Sequence, residues 1–453
     1  MNIIVVGDGK VGLSITAQLS REGHNLTIID SNPNVLETSV EQYDVMILHG
    51  NGASLPVLRE AGAEKADLLI AVTSTDEVNM LTCILARRLG TRHTIARVRN
   101  PEYAEQLQFL REELGLSMTV NPELAAAAEA YHILQFPSFL RRETFAKGLV
   151  EIVELRVGPD SRLRDIPLNR MQQAMSVKTL VCAVERQGKA FIPGGDFVLQ
   201  EGDKIHVTAA AGDLARLVSL LGLTNQKIHS CMIIGGSRIA YYLAAMLLKS
   251  HISVKIIEQS RARCEELSNL LPKAVIIHGD GNRQRLLLEE GLRETDALVT
   301  LTGMDEQNII LSLYGSHEGV GKVITKISQT EYYPVIQDMG IESVISPKAL
   351  SATEVVRYVR AMANATGGSV VAMTELADGQ VEALEFLATL DILHLNRPLS
   401  ETPIRKDILI ACIIRHGKNL IPQGNDSLQE GDGVIVISPR GLAITNLDDI
   451  FEK

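Results

Sequence analysis

The sequence predicts an α/β protein in which two doubly wound parallel-sheet domains alternate with two small α+β domains. Three observations carry that prediction. The chain repeats itself at an offset close to half its length, apolar runs of strand length alternate with helical stretches in each repeat, and a glycine turn joins the first strand of each repeat to its first helix.

The repeat is seen by sliding the chain against itself. "IID" ending at Asp30 pairs with "IIE" ending at Glu258, and "HGNG" from His49 pairs with "HGDG" from His278. "ADLLIAVTSTDEVNM" from Ala66 pairs with "TDALVTLTGMDEQNI" from Thr295, and "IARVRNPEY" from Ile95 with "ITKISQTEY" from Ile324. Later, "PGGDFVLQEGDKIHV" from Pro193 answers "PQGNDSLQEGDGVIV" from Pro422. Each half therefore holds the same two modules in the same order.

In the first module, Ile3 to Val6, Leu26 to Ile29, Val45 to Leu48, Leu68 to Val72 and Thr94 to Val98 are near-continuous apolar runs. Strands apolar on both faces and separated by helices build a parallel sheet covered on both sides, so the module is Rossmann-like. A segment with Pro137 and the charged run Arg141, Arg142, Glu143 reads as a connection. From about Leu149 to Ala211, "VEIVELRV" and "KTLVCAVER" alternate, and a turn-rich "QEGD" precedes "KIHV", which predicts a small β-rich α+β domain. Residues 225–230 begin the second copy, and "NATGG" from Asn364 marks its internal boundary. The expected domains are 1–136, 137–224, 225–362 and 363–453.

The glycine turns carry the chemistry. In Gly7-Asp8-Gly9-Lys10-Val11-Gly12 the first glycine permits a tight turn, the second lets backbone approach a pyrophosphate, and the third lets helix and strand pack closely. Backbone N–H groups and the helix dipole then favour a bound phosphate. Asp30, at the end of the next strand, can accept both ribose hydroxyls and would repel a 2′-phosphate, which favours NAD or another adenosine nucleotide over NADP. Lys10 either compensates phosphate charge or is a solvated lysine. Asn51 after the third strand either bonds a base or forms a turn, and Thr73 and Ser74 end the fourth strand at the same rim. Arg97, ending the fifth strand, reaches phosphates or pairs with a surface acid. The second turn, Gly235-Gly236-Ser237-Arg238-Ile239-Ala240, puts a Cβ at Ser237 where backbone should meet pyrophosphate. Glu258, Arg238 and Asp280 stand where Asp30, Lys10 and Asn51 do in the first copy, so the second site is expected to be weaker, different in preference, or vacant.

Composition narrows the partners. A length of 453 residues allows roughly two to four domains. The net charge of −11, with no local basic patch, argues against nucleic acid or an anionic membrane surface as main partner. Cys83, Cys182, Cys231, Cys264 and Cys412 are scattered without a CxxC, which disfavours a disulfide framework or zinc site and suits a reducing cytosol. The chain opens on a strand with no secretory signature, and no apolar stretch approaches the ~20 residues of a bilayer span.

On the tandem order of these modules, and on "VTSTDEVN" after the fourth strand, the chain resembles the TrkA family of peripheral subunits of Trk-type potassium-uptake systems, which carry two tandem RCK (KTN) units. The resemblance spans essentially the whole chain. It implies that each half is an RCK N-terminal nucleotide-binding domain followed by a small RCK C-terminal domain. It implies a homotetramer whose RCK domains form a gating ring, cytoplasmic and peripheral on the inner face of the cell membrane. Such a ring docks on an integral membrane potassium-translocating subunit of the TrkH/TrkG type and answers to NAD(H) and/or ATP/ADP as regulatory ligands. Carried over, Gly7, Asp8, Gly9, Lys10, Val11, Gly12, Asp30, Asn51, Thr73 and Arg97 form the first site, with Lys10 near the phosphates and the subunit interface. Gly235, Arg238, Glu258, Asp280, Thr302 and Lys326 form the second, where Ser237 and Ala240 depart from the family's usual glycines. No catalytic or metal-ligating residue is expected. Some relatives bind a cyclic dinucleotide in the C-terminal module, and no residue in 149–220 or 370–453 assigns that here.

Two other classes compete. An NAD-dependent dehydrogenase would show the same fingerprint, but it needs a substrate domain with an acid or base, and here the small modules are themselves duplicated. "LQEGD" reads as a structural turn, and His24, His49 and His278 sit beside strands of the duplicated units rather than in a shared catalytic domain. A scaffold that has lost its ligands is opposed by the intact first turn. The apolar stretch from Leu124 to Leu134 is either an inter-unit contact or a buried core helix.

Overall fold

A computed structural model describes residues 1–104, 113–136, 140–159, 161–170, 178–209, 213, 216–217, 227–364, 370–442, 444 and 446–452 of the chain. Strands β1 (Asn2–Val6), β2 (Asn25–Asp30), β3 (Met46–His49), β4 (Leu68–Ala71), β5 (His93–Arg97) and β6 (Met118–Val120) form one sheet in the order β3-β2-β1-β4-β5-β6. Every pair in it is parallel. The order reverses between β1 and β4, which opens the crevice where ligands bind in such sheets.

Strands β7 (Arg141–Phe145), β8 (Val150–Arg156), β9 (Thr179–Arg186), β10 (Lys189–Phe191) and β11 (Lys204–Ala209) form an antiparallel sheet, order β10-β9-β11-β8-β7. The run Arg141-Arg142-Glu143, expected as a connection, is therefore part of an edge strand paired with β8. Pro137 lies outside the described residues. The second copy repeats the first sheet with β12 (Ser230–Ile234), β13 (Ser253–Glu258), β14 (Val275–His278), β15 (Ala297–Thr300), β16 (Lys322–Lys326) and β17 (Val344–Ile345), order β14-β13-β12-β15-β16-β17. It then repeats the second with β18 (Val370–Leu376), β19 (Val381–Leu387), β20 (Leu409–Arg415), β21 (Lys418–Leu420) and β22 (Gly433–Pro439), order β18-β19-β22-β20-β21. The expected boundary at 224/225 falls outside the described residues, as does the "ATGG" that follows Asn364. The helix Pro347–Asn364 crosses the boundary expected at 362/363.

Like modules associate. One compact unit combines Met1–Leu134 with Ile228–Tyr358, and the other combines Gln135–Lys227 with Val359–Lys453. In the first unit, Ala126, Ala127, Ala130, Ile133 and Leu134 of the helix Pro122–Gln135 share a core with the second sheet and with Leu243 and Leu247. The first copy's last helix thus covers the second copy's sheet, where Asn121 Nδ2 donates to Tyr242 Oη at 3.2 Å and Tyr242 Oη donates to the Arg99 carbonyl at 3.0 Å. In the other direction, Tyr358 of the helix Pro347–Asn364 meets His93 Nδ1 of the first copy at 3.2 Å.

In the second unit, Val153, Leu155 and Val157 face the first small domain's own core, while Val150 and Ile152 face a core shared with Val381, Ala383 and Ile435 of the other small domain. Strands whose alternation suggests one exposed face are thereby buried on both. The "QEGD" turns are anchors: Asp203 takes Arg186 at 2.8 and 2.7 Å and the Gln200 amide at 2.8 Å, and Asp432 takes Arg415 and the Gln429 amide in the same way. All five cysteines are free and buried. Among the described residues no helix is long and apolar enough to cross a membrane.

Candidate functional site

The first glycine turn is built as its residue types require. Gly7 sits at φ +98°, where a Cβ would come 2.8 Å from the Thr73 amide nitrogen, and a Cβ on Gly12 would stand 1.9 Å from the Gly7 carbonyl oxygen. Both clashes show how closely turn, helix and β4 pack. Gly9 differs: a Cβ there would meet nothing within 4 Å. It precedes the helix Lys10–Arg21, has no side-chain cap, and is followed by no acid in the first turn. The helix's first N–H groups thus face open space, which is the arrangement an anion fills.

Asp30 is held by the backbone it faces. Its Oδ2 accepts from the Asp8 amide at 2.7 Å and its Oδ1 from the Asn32 amide at 2.8 Å, leaving the other lone pairs for a ribose. His49 Nε2 meets the Ser31 carbonyl at 3.1 Å and steadies the loop after Asp30. Gly7, Gly9, Lys10, Val11, Asp30, Asn51, Thr73 and Arg97 line one cavity of about 650 Å³ at this end of the sheet.

Two of the expected site residues are not on its wall. Gly12 serves packing only. The Asp8 side chain is 1% exposed and accepts from Ser39 Oγ at 2.6 Å, so it supports the turn instead of meeting a ligand. Burial, opposed by the Ser39 hydrogen bond and reinforced by Asp30, pushes its carboxyl up to about 6. Asn51 combines its two readings: Oδ1 accepts from the Ala53 amide at 3.0 Å to make the turn, while the residue lines the cavity.

Asn79, not among the site residues expected from the sequence, organises the rim. Its Oδ1 accepts from Thr73 N and Oγ1, both at 2.7 Å, and its Nδ2 donates to the Arg97 carbonyl at 2.9 Å. Arg97 Nη2 in turn donates to the Thr73 carbonyl at 2.8 Å. Thr73 and Arg97 are thus locked to one another through a fully buried carboxamide. The signal was present in the last letter of "VTSTDEVN", paired with the Asn of "LTGMDEQN".

The second copy preserves this frame. Glu258 accepts from the Gly236 and Ser260 amides at 2.6 and 2.7 Å, Asn308 Oδ1 accepts from Thr302 N and Oγ1 at 2.9 and 2.8 Å, and His278 Nε2 meets the Gln259 carbonyl at 3.1 Å. Lys326 Nζ donates to the Thr302 carbonyl. Gly235 has the same positive φ, +99°. Asp280 makes a turn, accepting from the Asn282 amide at 3.0 Å. The difference lies at Ser237, whose backbone matches Gly9 but whose Oγ accepts from the Ala240 amide at 3.4 Å. The serine occupies a helix N–H that Gly9 leaves open, and Arg263 Nε donates to the Gly236 carbonyl at 2.6 Å beside it.

Between the two Rossmann-like domains of this unit lies a second cavity of about 370 Å³. Lys10 and Arg97 from one domain and Arg238, Lys326 and Lys348 from the other line it, against the single acid Glu123. Glu123 Oε1 stands 3.7 Å from Arg99 Nη1. Burial holds the Arg97 guanidinium below its usual range, with Arg99 and Arg238 adding to the effect. Burial lowers Lys326 likewise, with Lys10 opposing its charge across the domains. Arg97 Nε is buried without a hydrogen-bond partner among the described residues. Crowded cations of like sign with a bare donor suit an anionic occupant.

The TrkA-N domain model matches residues 3–122 and 231–347, and the TrkA-C domain model matches residues 152–222. The chain is 30% identical over 451 residues to a Trk system potassium uptake protein TrkA homolog of Archaeoglobus fulgidus, covering 100% of both. It is 31% identical over 458 residues to the Trk system potassium uptake protein TrkA of Halomonas elongata, covering 100% of this chain and 99% of the other. Its fold is similar to that of the GsuK channel bound to NAD, with a TM-score of 0.63 at 19% identity over 97% of this chain and 77% of that one.

Proposed function

Because the chain belongs to the TrkA family, we propose that it is a nucleotide-binding regulatory subunit of a potassium-uptake system, with a role in gating rather than in catalysis. Its ligands are NAD(H) and/or ATP/ADP, held in the first cavity with ribose on Asp30, phosphates on Gly9 and the following helix, and Lys10 and Arg97 compensating charge. The second cradle binds more weakly. Four domains, 1–136, 137–224, 225 to the end of the helix Pro347–Asn364, and the remainder, assemble as a homotetrameric gating ring. The ring is peripheral on the inner face of the membrane, docked on a potassium-translocating subunit of the TrkH/TrkG type.

One observation carries the regulatory reading: Lys10, Val11 and Arg97 line both the nucleotide cavity and the cationic cavity between the two Rossmann-like domains. A phosphate chain seated on the first turn therefore acts on Arg238 and Lys326 of the neighbouring domain. A ligand that binds one relative placement of the domains better than another shifts that equilibrium by its differential affinity. The test is titration calorimetry of the whole chain with NADH, NAD, ATP and ADP, with light scattering to count subunits. Sub-millimolar binding by a tetramer without NADH turnover is the expected result. A monomer that consumes NADH with an added substrate would instead support a dehydrogenase.

A further inference from the structure

We propose that Asp8 makes nucleotide binding at the first turn a proton-linked event, in which the protein takes up a proton on Asp8 as an anionic nucleotide settles on the turn. The proposal rests on the reading of that cavity as a nucleotide site.

The geometry is a buried carboxyl on the residue between Gly7 and Gly9, which both line the cavity while Asp8 itself does not. Asp8 is 1% exposed, its Oδ2 accepts from Ser39 Oγ at 2.6 Å, and its Oδ1 is buried with no hydrogen-bond partner among the described residues. A carboxylate with one bare buried oxygen costs far more than its neutral form. The facing groups favour the neutral form. From β2 comes Asp30, whose Oδ2 takes the Asp8 amide at 2.7 Å, and from the helix Pro33–Gln42 comes the hydroxyl of Ser39. Lys10, two residues on in the same turn, lines the ligand cavity. These surroundings already raise the Asp8 carboxyl to about 6.

A pyrophosphate on Gly9 adds negative charge to the other side of the same turn and raises the carboxyl further. By linkage, protons and nucleotide then strengthen each other's binding. The second copy has Gly236 at this position, so its turn has no such group.

The experiment is calorimetry of the full chain with NADH in two buffers of different ionisation enthalpy, between pH 6 and 8. The expected result is fractional proton uptake and an affinity that falls by up to about tenfold per pH unit in this window. Ser39→Ala removes the hydrogen bond that favours the carboxylate and moves the window to higher pH, while Asp8→Asn binds with a flat profile. NADH binding without proton uptake, or a parent-like slope in Asp8→Asn, overturns the proposal and leaves the nucleotide reading intact. Failure of the parent to bind NADH at any pH overturns both.

A ligand-free arm reads the same group. The folded-state value of Asp8 lies above the unfolded 3.8, so the stability it contributes is complete below that value and is lost as pH rises toward about 6. The thermal midpoint of the parent should fall relative to Asp8→Asn across that window, and parallel profiles overturn the proposal.

Discussion

The two glycine turns differ at one position that decides what their helix ends can hold. Gly9 leaves the helix N-terminus open, with nothing within 4 Å of where a Cβ would stand, whereas Ser237 adopts the same backbone and turns its Oγ back onto the Ala240 amide. The backbone frame around them is otherwise shared: an acid holding two amides, an asparagine locking the fourth strand's rim, and a cation closing on the threonine carbonyl. The lesson is that a duplicated cradle can keep its full scaffold while a single hydroxyl takes up a helix N–H that its twin leaves open. Position 240 adds a second divergence: an alanine stands there, where a Cβ on Gly12 of the first copy would come 1.9 Å from the Gly7 carbonyl oxygen.

The largest expected effect comes from filling the open space of the first turn. Gly9→Val should weaken NADH binding by about 3 kcal/mol, roughly 100-fold, by blocking the charge-assisted contacts of phosphate with the helix end. The thermal midpoint should scarcely move, because the new side chain enters open space. Calorimetry and thermal melting together check this, and a large loss of stability would count against an open cradle.

Next come the two asparagines. Asn79→Ala and Asn308→Ala should each cost about 2 kcal/mol of stability, since each strands buried backbone and hydroxyl groups. Only Asn79→Ala should also weaken NADH binding. Equal losses of binding from both would mean that the two cradles are equally occupied.

Asp30→Ala should cost about 1.5 kcal/mol of binding, about tenfold, through lost ribose hydrogen bonds, whereas Glu258→Ala should leave the main NADH affinity unchanged. The smallest effect is Ser237→Gly, which removes a helix cap at a cost of a few tenths of a kcal/mol. A second NADH equivalent appearing in its titration would show that the hydroxyl alone had closed the second site.

Much of this is legible in the sequence. The apolar runs ending at Val6 and Ile29, the glycine fingerprint and the acid at Asp30 led directly to the cavity wall, and the self-match located its copy. The crossover of the helix from Pro122 was half legible, because its apolar face demands burial but does not say against which copy. The alternation in "VEIVELRV" misleads about exposure, since its second face is buried by another domain.

Local sterics and solvation explain why the sequence determines strands, turns and the place of Asp30 at a strand end: a glycine at positive φ or an apolar run depends on residues only a few positions away. The tertiary structure alone decided that Asp8 is buried against Ser39, that Asn79 ties the end of β4 to β5, and that Lys10 and Arg97 share a cavity with Arg238 and Lys326. Each of these depends on which distant surfaces exclude water and bring like charges together, and desolvation and Coulomb energies act through space regardless of separation along the chain.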